Sequence, residues 1–374
     1  MIYRFLEKII QKKLVDAKAI IITGPRQSGK STLMRQCQRN FKKPVALWNG
    51  DETDYRTMLE NPTSTKLRSL IGKSKTVIID ESQRIHNIGL CMKLITDNIK
   101  LVKLIATGSS SFELANKINE PLTGRKWEYQ LYPLSFGEMV NNSSLIEEKR
   151  LLTQRLIYGY YPDVVNNPGN EPALLKQLAD SYLYKDILTW ERIQKPAQLE
   201  KLVQALAFQM AQIISYNELG QQCGLNAETV EKYINLLEKA FIVYRLPALS
   251  RNPRNELRKS FKIFFYDNGL RNAVINQFNP ASLRLDIGQL WENWFITERL
   301  KFISYKEILI SRFFWRTLAQ QEVDYVEDAN GKLTAFECKW NSKAKGGVSK
   351  AFTNAYINAE THIVHRDNVE EYLL

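Results

Sequence analysis

The sequence predicts an α/β protein: a mainly parallel sheet near the amino terminus, a helical middle, and a second α/β unit at the carboxyl end. Three observations carry that expectation. From residue 19 to about 135, short β-rich apolar runs alternate with helical patterns, the cadence of βα units. From about 136 to 250 the apolar period shifts to about 3.6 residues, with few strand signals. Past the Asn252-Pro253 break, aromatic and aliphatic strand runs return around one long helical pattern.

Each element follows from its own pattern. At the amino terminus Ile2, Leu6, Ile9 and Ile10 recur at helical spacing between Arg4, Glu7, Lys8, Lys12 and Lys13, which predicts an amphipathic helix rather than a signal peptide. Strands are expected over 19–23, 45–49, 76–80 and 101–107. Helical periods run through 156–161, 174–188 and 199–213. The basic stretch 251–262 has the composition of a linker, and beyond it strands are expected over 261–266, 313–316, 322–326 and 333–340, with a helix over about 286–303. No repeat or low-complexity tract interrupts this order. The expected domains are 1–135, 136–198, 199–275 and 276–374.

The 374 residues are 44% apolar and 25% charged, enough for two or three domains with substantial cores. Lys and Arg number 52 against 40 Asp and Glu, a formal charge of +12. That excess favours an anionic partner, nucleic acid or nucleotide phosphates ahead of an acidic membrane surface. Cys37, Cys91, Cys223 and Cys338 form no C-x-x-C pair, which argues against a disulfide scaffold or zinc ribbon and fits reduced thiols. His86, His362 and His365 leave little material for a histidine metal cluster or a Ser-His-Asp triad. No apolar run approaches the roughly 18 residues of a membrane span. The expectation is a soluble, cytoplasmic protein with no membrane partner.

Gly24-Pro25-Arg26-Gln27-Ser28-Gly29-Lys30-Ser31 matches G-x-x-x-x-G-K-[ST] directly after an apolar strand and before the helical run that opens at Thr32. Its glycines turn backbone N–H groups toward phosphate oxygens at a helix N-terminus, Lys30 neutralises β/γ charge, and Ser31 is placed to coordinate Mg²⁺. Thr76-Val-Ile-Ile-Asp80-Glu81 is an aliphatic strand ending in two acids. Asp80 is expected to hold Mg²⁺ through water, and Glu81 to orient or deprotonate the attacking water. Thr107 or Ser109, at the end of the next strand, is a candidate γ-phosphate sensor, with an ordinary strand-end turn as the other reading. Arg125 offers a cation for the phosphates in cis or in trans, or else a surface ion pair. No N-K-x-D tetrad follows, so adenine is the expected base, and ATP with Mg²⁺ the expected cofactors.

In the middle, Ile213-Ile-Ser-Tyr-Asn-Glu-Leu-Gly220 and Ala227 to Ala240 read as two helices, the second capped by Asn226, with 241–245 and 261–266 as wing strands. Glu228 and Glu231 near the leading end of the second helix oppose DNA phosphates, so packing between domains competes with DNA reading. Arg251, Arg254, Arg258, Lys259 and Lys262 are better DNA candidates, against the alternative of a solvated loop. Farther on, Glu292 sits in a helical run, Asp324 on one strand, and Glu337 and Lys339 on the next, across the Asp328-Ala-Asn-Gly331 turn. Alternation puts Asp324 and the Glu337/Lys339 pair on corresponding faces of two adjacent antiparallel strands, a geometry that gathers three carboxylates and one ammonium, suited to a hard divalent cation bound by Asp324 and Glu337. Exposed strand charges are the competing reading.

Gly24 to Leu33, Ile79-Asp-Glu-Ser-Gln-Arg84, Thr107-Gly-Ser-Ser110, Gly124-Arg125 and Leu131-Tyr-Pro-Leu-Ser-Phe-Gly-Glu138 together resemble the prokaryotic AAA-superfamily ATP-binding proteins with a C-terminal domain of unknown function. Tyr158-Gly-Tyr-Tyr-Pro162, Phe265-Tyr-Asp-Asn-Gly-Leu270 and the acidic turn Asp51 to Asp54 share that resemblance. It implies a P-loop NTPase sheet of AAA type, a central winged-helix segment and a nuclease-like terminal fold. The terminal set, Glu292, Asp324, Glu337 and Lys339, resembles the PD-(D/E)-x-K fold of restriction-like nucleases. The expected function is a Mg²⁺-dependent ATPase whose nucleotide state controls a nuclease-like, DNA-interacting domain. The alternative is an ATP-driven switch or interaction module whose nuclease-like domain is inactive. DNA and further copies of the chain are the candidate macromolecular partners.

Overall fold

The computed structural model describes residues 2–41, 44–109, 118, 121–181, 196–250, 260–343 and 346–374. Ser110, the far end of the helical run expected over 174–188, and Arg251, Arg254, Arg258 and Lys259 lie outside the described residues. Two compact units divide the chain: Met1–Pro133 with Lys239–Phe241, and Leu134–Glu238 with Ile242–Leu374.

The first unit is built on five parallel strands, β1 (Ala19–Thr23), β2 (Val45–Asn49), β3 (Thr76–Asp80), β4 (Lys103–Gly108) and β5 (Lys126–Gln130), in the order β2-β3-β4-β1-β5. The central strands are continuous aliphatic runs because helices cover both faces of a parallel sheet; Ile20, Ile21, Ile22, Val77, Ile78 and Ile79 are fully buried. On one face Ile21, Val77, Ile79 and Ala106 pack with Ile88, Met92 and Ile95 of the helix Ile88–Asn98. The amino-terminal helix Phe5–Lys13 buries Leu6, Ile9 and Ile10, as its period predicts. Strand β5 escaped sequence reading because it is a half-exposed edge that mixes Lys126 and Glu128 with Trp127 and Tyr129. The fourth strand starts at Lys103, two residues later than expected.

In the second unit the helices Tyr216–Cys223 and Ala227–Lys239 precede an antiparallel ribbon of β6 (Val243–Pro247) and β7 (Phe261–Phe265). Asn226 Oδ1 caps the second helix by accepting from Thr229 N at 2.7 Å. Asn235 is half-buried and accepts from Arg245 of β6, which also pairs with Glu238 and donates to the Tyr216 hydroxyl at 2.9 Å. The long helix Ile287–Tyr305 leads into a four-stranded sheet, β8 (Ser311–Arg316), β9 (Glu322–Ala329), β10 (Lys332–Cys338) and β11 (Glu360–Val364), in the order β11-β10-β9-β8. β8, β9 and β10 are antiparallel, and β11 returns parallel to β10 after the helix Lys350–Ala355. The β9–β10 hairpin closes on Asn330 and Gly331, both at positive φ, the chemistry a two-residue turn requires.

The Tyr158-to-Pro162 and Phe265-to-Leu270 motifs prove to be two halves of one junction. Asp267 is buried and accepts from Tyr160 N at 2.7 Å and Leu270 N at 3.0 Å. Gly159, at φ +70°, lies so close that a Cβ would meet Asp267 Oδ1 at 2.1 Å, and one at Gly269 would meet the Tyr158 carbonyl at the same distance. At Gly159 the backbone conformation and the space both exclude a side chain, and at Gly269 the space does. Gly159→Ala is therefore expected to lower stability by about 3 kcal/mol in urea unfolding. Gly288→Ala, on an exposed helical site with open space around it, is expected to raise stability by up to about 1 kcal/mol in the same measurement.

Candidate functional site

Strand β1 delivers the chain into a loop that only its glycines permit. Gly24 has φ +154°, and a Cβ there would collide with the Leu131 carbonyl oxygen at 2.1 Å. Gln27 and Gly29 follow at φ 57° and 94°, and the helix Lys30–Asn40 begins immediately. Such alternation turns successive N–H groups inward, at the positive end of a helix dipole. Lys30 is buried, and its Nζ donates to the carbonyls of Gly24 at 2.9 Å and Pro25 at 2.8 Å. Burial pulls its pKa down to about 8, against the pull of Glu81 and Asp80. Ser28 Oγ is buried in the loop without a hydrogen-bond partner, a polar orphan of the kind that a ligand satisfies. Pro25 is buried and Arg26 and Ser31 are half-buried, while Gln27 and Thr32 are exposed.

The two acids stand at the end of β3, separated from β1 by β4, and are held by groups at the end of β4 and in the turn after β3. Asp80 Oδ1 accepts from the Thr107 hydroxyl, whose oxygen in turn accepts from Glu81 N at 3.2 Å. Thr107 is thus a brace for Asp80, at the end of β4. Glu81 takes the left-handed conformation, φ 47° and ψ 42°, a strained setting for a side chain of this size and one that concentrates at working sites. Its Oε2 accepts from Gln83 Nε2 at 2.6 Å and from Ser109 Oγ at 3.2 Å, and Gln83 also donates to Ser109 at 2.9 Å. One acid is therefore fixed by a threonine and the other by a glutamine–serine pair. Asp51 of the acidic turn makes an exposed ion pair with Arg84 at 2.8 Å.

Arg125 does not belong to this group in its own subunit. Its carbonyl accepts from Ala19 N at 2.9 Å, and Ala19 lies opposite Lys126, so Arg125 stands at the amino edge of β1 and β5. Gly24 is at the other edge, roughly 17 Å away along a strand of about 3.3 Å per residue. The guanidinium instead meets Asp97 Oδ1 at 2.7 Å. A different arginine reaches the loop: buried Arg4 donates to the Ser28 carbonyl at 2.7 Å and the Tyr132 carbonyl at 2.6 Å. It ties the phosphate loop to the segment after β5. Nothing in the local pattern announces this, because the two partners are 24 and 128 residues away.

The carboxyl-terminal set also assembles, with additional members. The β9–β10 ladder pairs Tyr325 with Phe336, one residue short of Asp324 and Glu337. Asp324 Oδ2 accepts from Cys338 N at 2.8 Å, and Glu337 Oε1 meets Lys339 Nζ at 2.7 Å. Glu292 meets Lys262 Nζ at 2.9 Å, and the same ammonium meets Glu322 Oε1 at 2.5 Å. Burial pushes Glu292 up to about 8 despite Lys262, and also raises Asp324 and Glu337. Lys262, expected on a basic DNA-facing stretch, is instead buried at 2% exposure in the ribbon strand β7. A lone lysine in Phe-Lys-Ile-Phe-Phe was the available signal, since such a charge needs a partner. Among the described residues no group of three or more His, Cys, Asp or Glu side chains is arranged to hold a metal ion. The chain's own ammonium and amide groups already engage the carboxylates that the divalent-cation expectation assigned.

Comparison with known proteins agrees with the first unit's geometry. Residues 16–140 match the model of an AAA domain, while residues 149–281 and 287–372 match two domains of unknown function, DUF8612 and DUF4143. An uncharacterized protein of Mycobacterium tuberculosis is 24% identical over 355 residues, covering 94% of this chain and 76% of its own length. An uncharacterized protein of Haemophilus influenzae is 26% identical over 302 residues, 73% of each chain. Among solved structures, a Walker-type ATPase of Pyrococcus abyssi superposes with a TM-score of 0.51 at 13% identity, covering 72% of this chain and 94% of that one. Residues 16–140 are thus a P-loop domain of AAA type, built on a parallel five-stranded sheet. No described helix is long and apolar enough to cross a membrane.

Because Arg4 holds the Ser28 carbonyl, its loss should let the phosphate loop relax. Arg4→Ala is expected to weaken binding of a fluorescent ATP analogue about tenfold, or roughly 1.4 kcal/mol, in an equilibrium titration.

Proposed function

We propose that this chain is a Mg²⁺-dependent ATPase whose nucleotide state controls its carboxyl-terminal half. One observation carries the reading: Lys30, after β1, and Asp80 and Glu81, at the end of β3, converge at the carboxyl edges of the two parallel strands that flank β4, each already oriented by neighbouring groups. The loop fits a nucleotide, as the orphaned Ser28 hydroxyl and the inward-turned backbone indicate. Ser31 and Asp80 are the groups to hold Mg²⁺, which would supply charge to the β- and γ-phosphate oxygens. On binding, Lys30 exchanges the carbonyls of Gly24 and Pro25 for phosphate oxygens. Thr107 keeps Asp80 in place. Glu81 accepts a proton from water as the water oxygen bonds to the γ-phosphorus and the bond to the ADP oxygen breaks. Gln83 and Ser109 hold the Glu81 carboxylate in position for that transfer.

For the remainder, the proposal is a winged-helix-like segment over 199–275 and a nuclease-like unit over 276–374 that interacts with DNA. A second reading, an ATP-driven switch with a catalytically inactive nuclease-like domain, is favoured by the ion pairs that already engage Glu292, Glu322 and Glu337. Arg125 is left to act between copies of the chain, because its place at the amino edge removes it from its own phosphate loop.

Lys30→Ala is expected to abolish phosphate release from ATP and to weaken nucleotide binding. Glu81→Gln should retain binding while turnover falls about 10²- to 10⁴-fold, the usual worth of a general base. Phosphate-release assays beside nucleotide titrations check both. Turnover by Glu81→Gln near the unmodified rate would remove Glu81 from its assigned role.

A further inference from the structure

The carboxyl-terminal cluster gathers acids from three elements: Glu292 from the long helix, Glu322 and Asp324 from β9, and Glu337 from β10. Carboxylates brought so close repel one another unless a cation stands among them. In a PD-(D/E)-x-K unit that cation would be a divalent metal ion. Here β7 supplies a lysine. Lys262 Nζ lies 2.9 Å from Glu292 Oε1 and 2.5 Å from Glu322 Oε1, with Asp324 in electrostatic reach and only 2% of the residue exposed. Glu322 is further held by Arg316 Nη1 at 3.1 Å, and Glu337 by Lys339 at 2.7 Å. Four carboxylates therefore face three cations of the same chain, and Asp324 has a backbone N–H donor from Cys338.

The route by which Lys262 arrives matters as much as its contacts. It belongs to the ribbon, where β7 pairs with β6 and Lys262 itself lies opposite Leu246. Its backbone is fixed by that ladder and its side chain is fully enclosed, so it is no mobile surface lysine that chances on an acid. A buried ammonium and a divalent ion would compete for the same carboxylate oxygens, and the ammonium is covalently attached.

We infer that Lys262 is a built-in counter-ion occupying the cation position of the carboxyl-terminal acidic cluster, which thereby binds no divalent metal as it stands. The acids are an ion-paired junction between the ribbon and the terminal sheet. The inference supports the second reading above and is independent of ATP hydrolysis.

The test is a Mn²⁺ titration of the nucleotide-free full chain, followed by electron paramagnetic resonance, beside Asp324→Asn. The unmodified protein and Asp324→Asn are expected to give superimposable curves. Lys262→Met is expected to gain one Mn²⁺ site, at least tenfold tighter than any in the unmodified protein, and to lose it again when combined with Asp324→Asn. Lys262→Arg, which keeps the cation, should gain none. A Mn²⁺ site in the unmodified protein that disappears in Asp324→Asn would overturn the inference. So would a folded Lys262→Met protein, verified by circular dichroism, that gains no site. Should Lys262→Met fail to fold, the comparison of the unmodified protein with Asp324→Asn decides alone. Phosphate release from ATP, followed on the same preparations, separates failure of the ATPase reading from failure of this one.

Discussion

Buried charge must be paired, and the second unit is organised around that constraint. An isolated ion in a protein interior is prohibitively costly, so every such group has to find its counter-charge or a set of hydrogen bonds as the chain folds. Arg155 meets Glu148 at 2.9 Å, Lys301 meets Glu298 at 2.7 Å, and Arg299 meets Glu327 at 2.7 Å. Arg271 and Arg284 share Asp286 at 2.6 and 2.8 Å. Removing one member of such a pair leaves the other uncompensated in the interior, which is costly. Glu298 adds a bond from Phe136 N at 2.7 Å, so a single carboxylate on the long helix orders the start of the helix Phe136–Asn142 as well.

The same constraint governs the sites. In the phosphate loop Lys30 rests on two carbonyls, a neutral accommodation that phosphate oxygens can outbid by bringing full negative charge. Asp80 and Glu81 are held by neutral hydroxyl, amide and backbone groups, while their charge acts on Lys30 across the site. In the terminal cluster the compensation is ionic. That difference separates a site arranged for an incoming charged ligand from one that the chain completes by itself.

Much of the fold was legible in local pattern. The strands over 19–23, 45–49 and 76–80 occur at the expected residues; for the first and third, continuous aliphatic runs bounded by glycine or aspartate have few other ways to be buried, while the second is a half-exposed edge strand that buries Trp48. β5 was hidden by its half-exposed edge position, where charged and aromatic residues alternate without a strong apolar face. β11, with Glu360 and Thr361 exposed, was hidden for the same reason. In the candidate site, Gly24 through Ser31 and the Asp80-Glu81 pair were legible because each lies within one strand-to-helix or strand-to-turn connection. Arg4 and Lys262 were not, since the groups they serve lie far along the chain.

By itself, the sequence determined where backbone could be bent and where it had to be covered: a phosphate loop after an aliphatic strand, paired acids at the end of another, and an Asn-Gly hairpin between two alternating strands. These are short-range facts, set by dihedral freedom and the period of apolar residues. Only the tertiary structure decided which cation answers which carboxylate. It moved Arg125 to the amino edge of its sheet, set Arg4 behind the phosphate loop, and turned Lys262 from a surface charge into the internal partner of Glu292 and Glu322. Pairing of buried charge depends on where distant segments meet, and that is fixed by the assembled backbone rather than by any local run of residues.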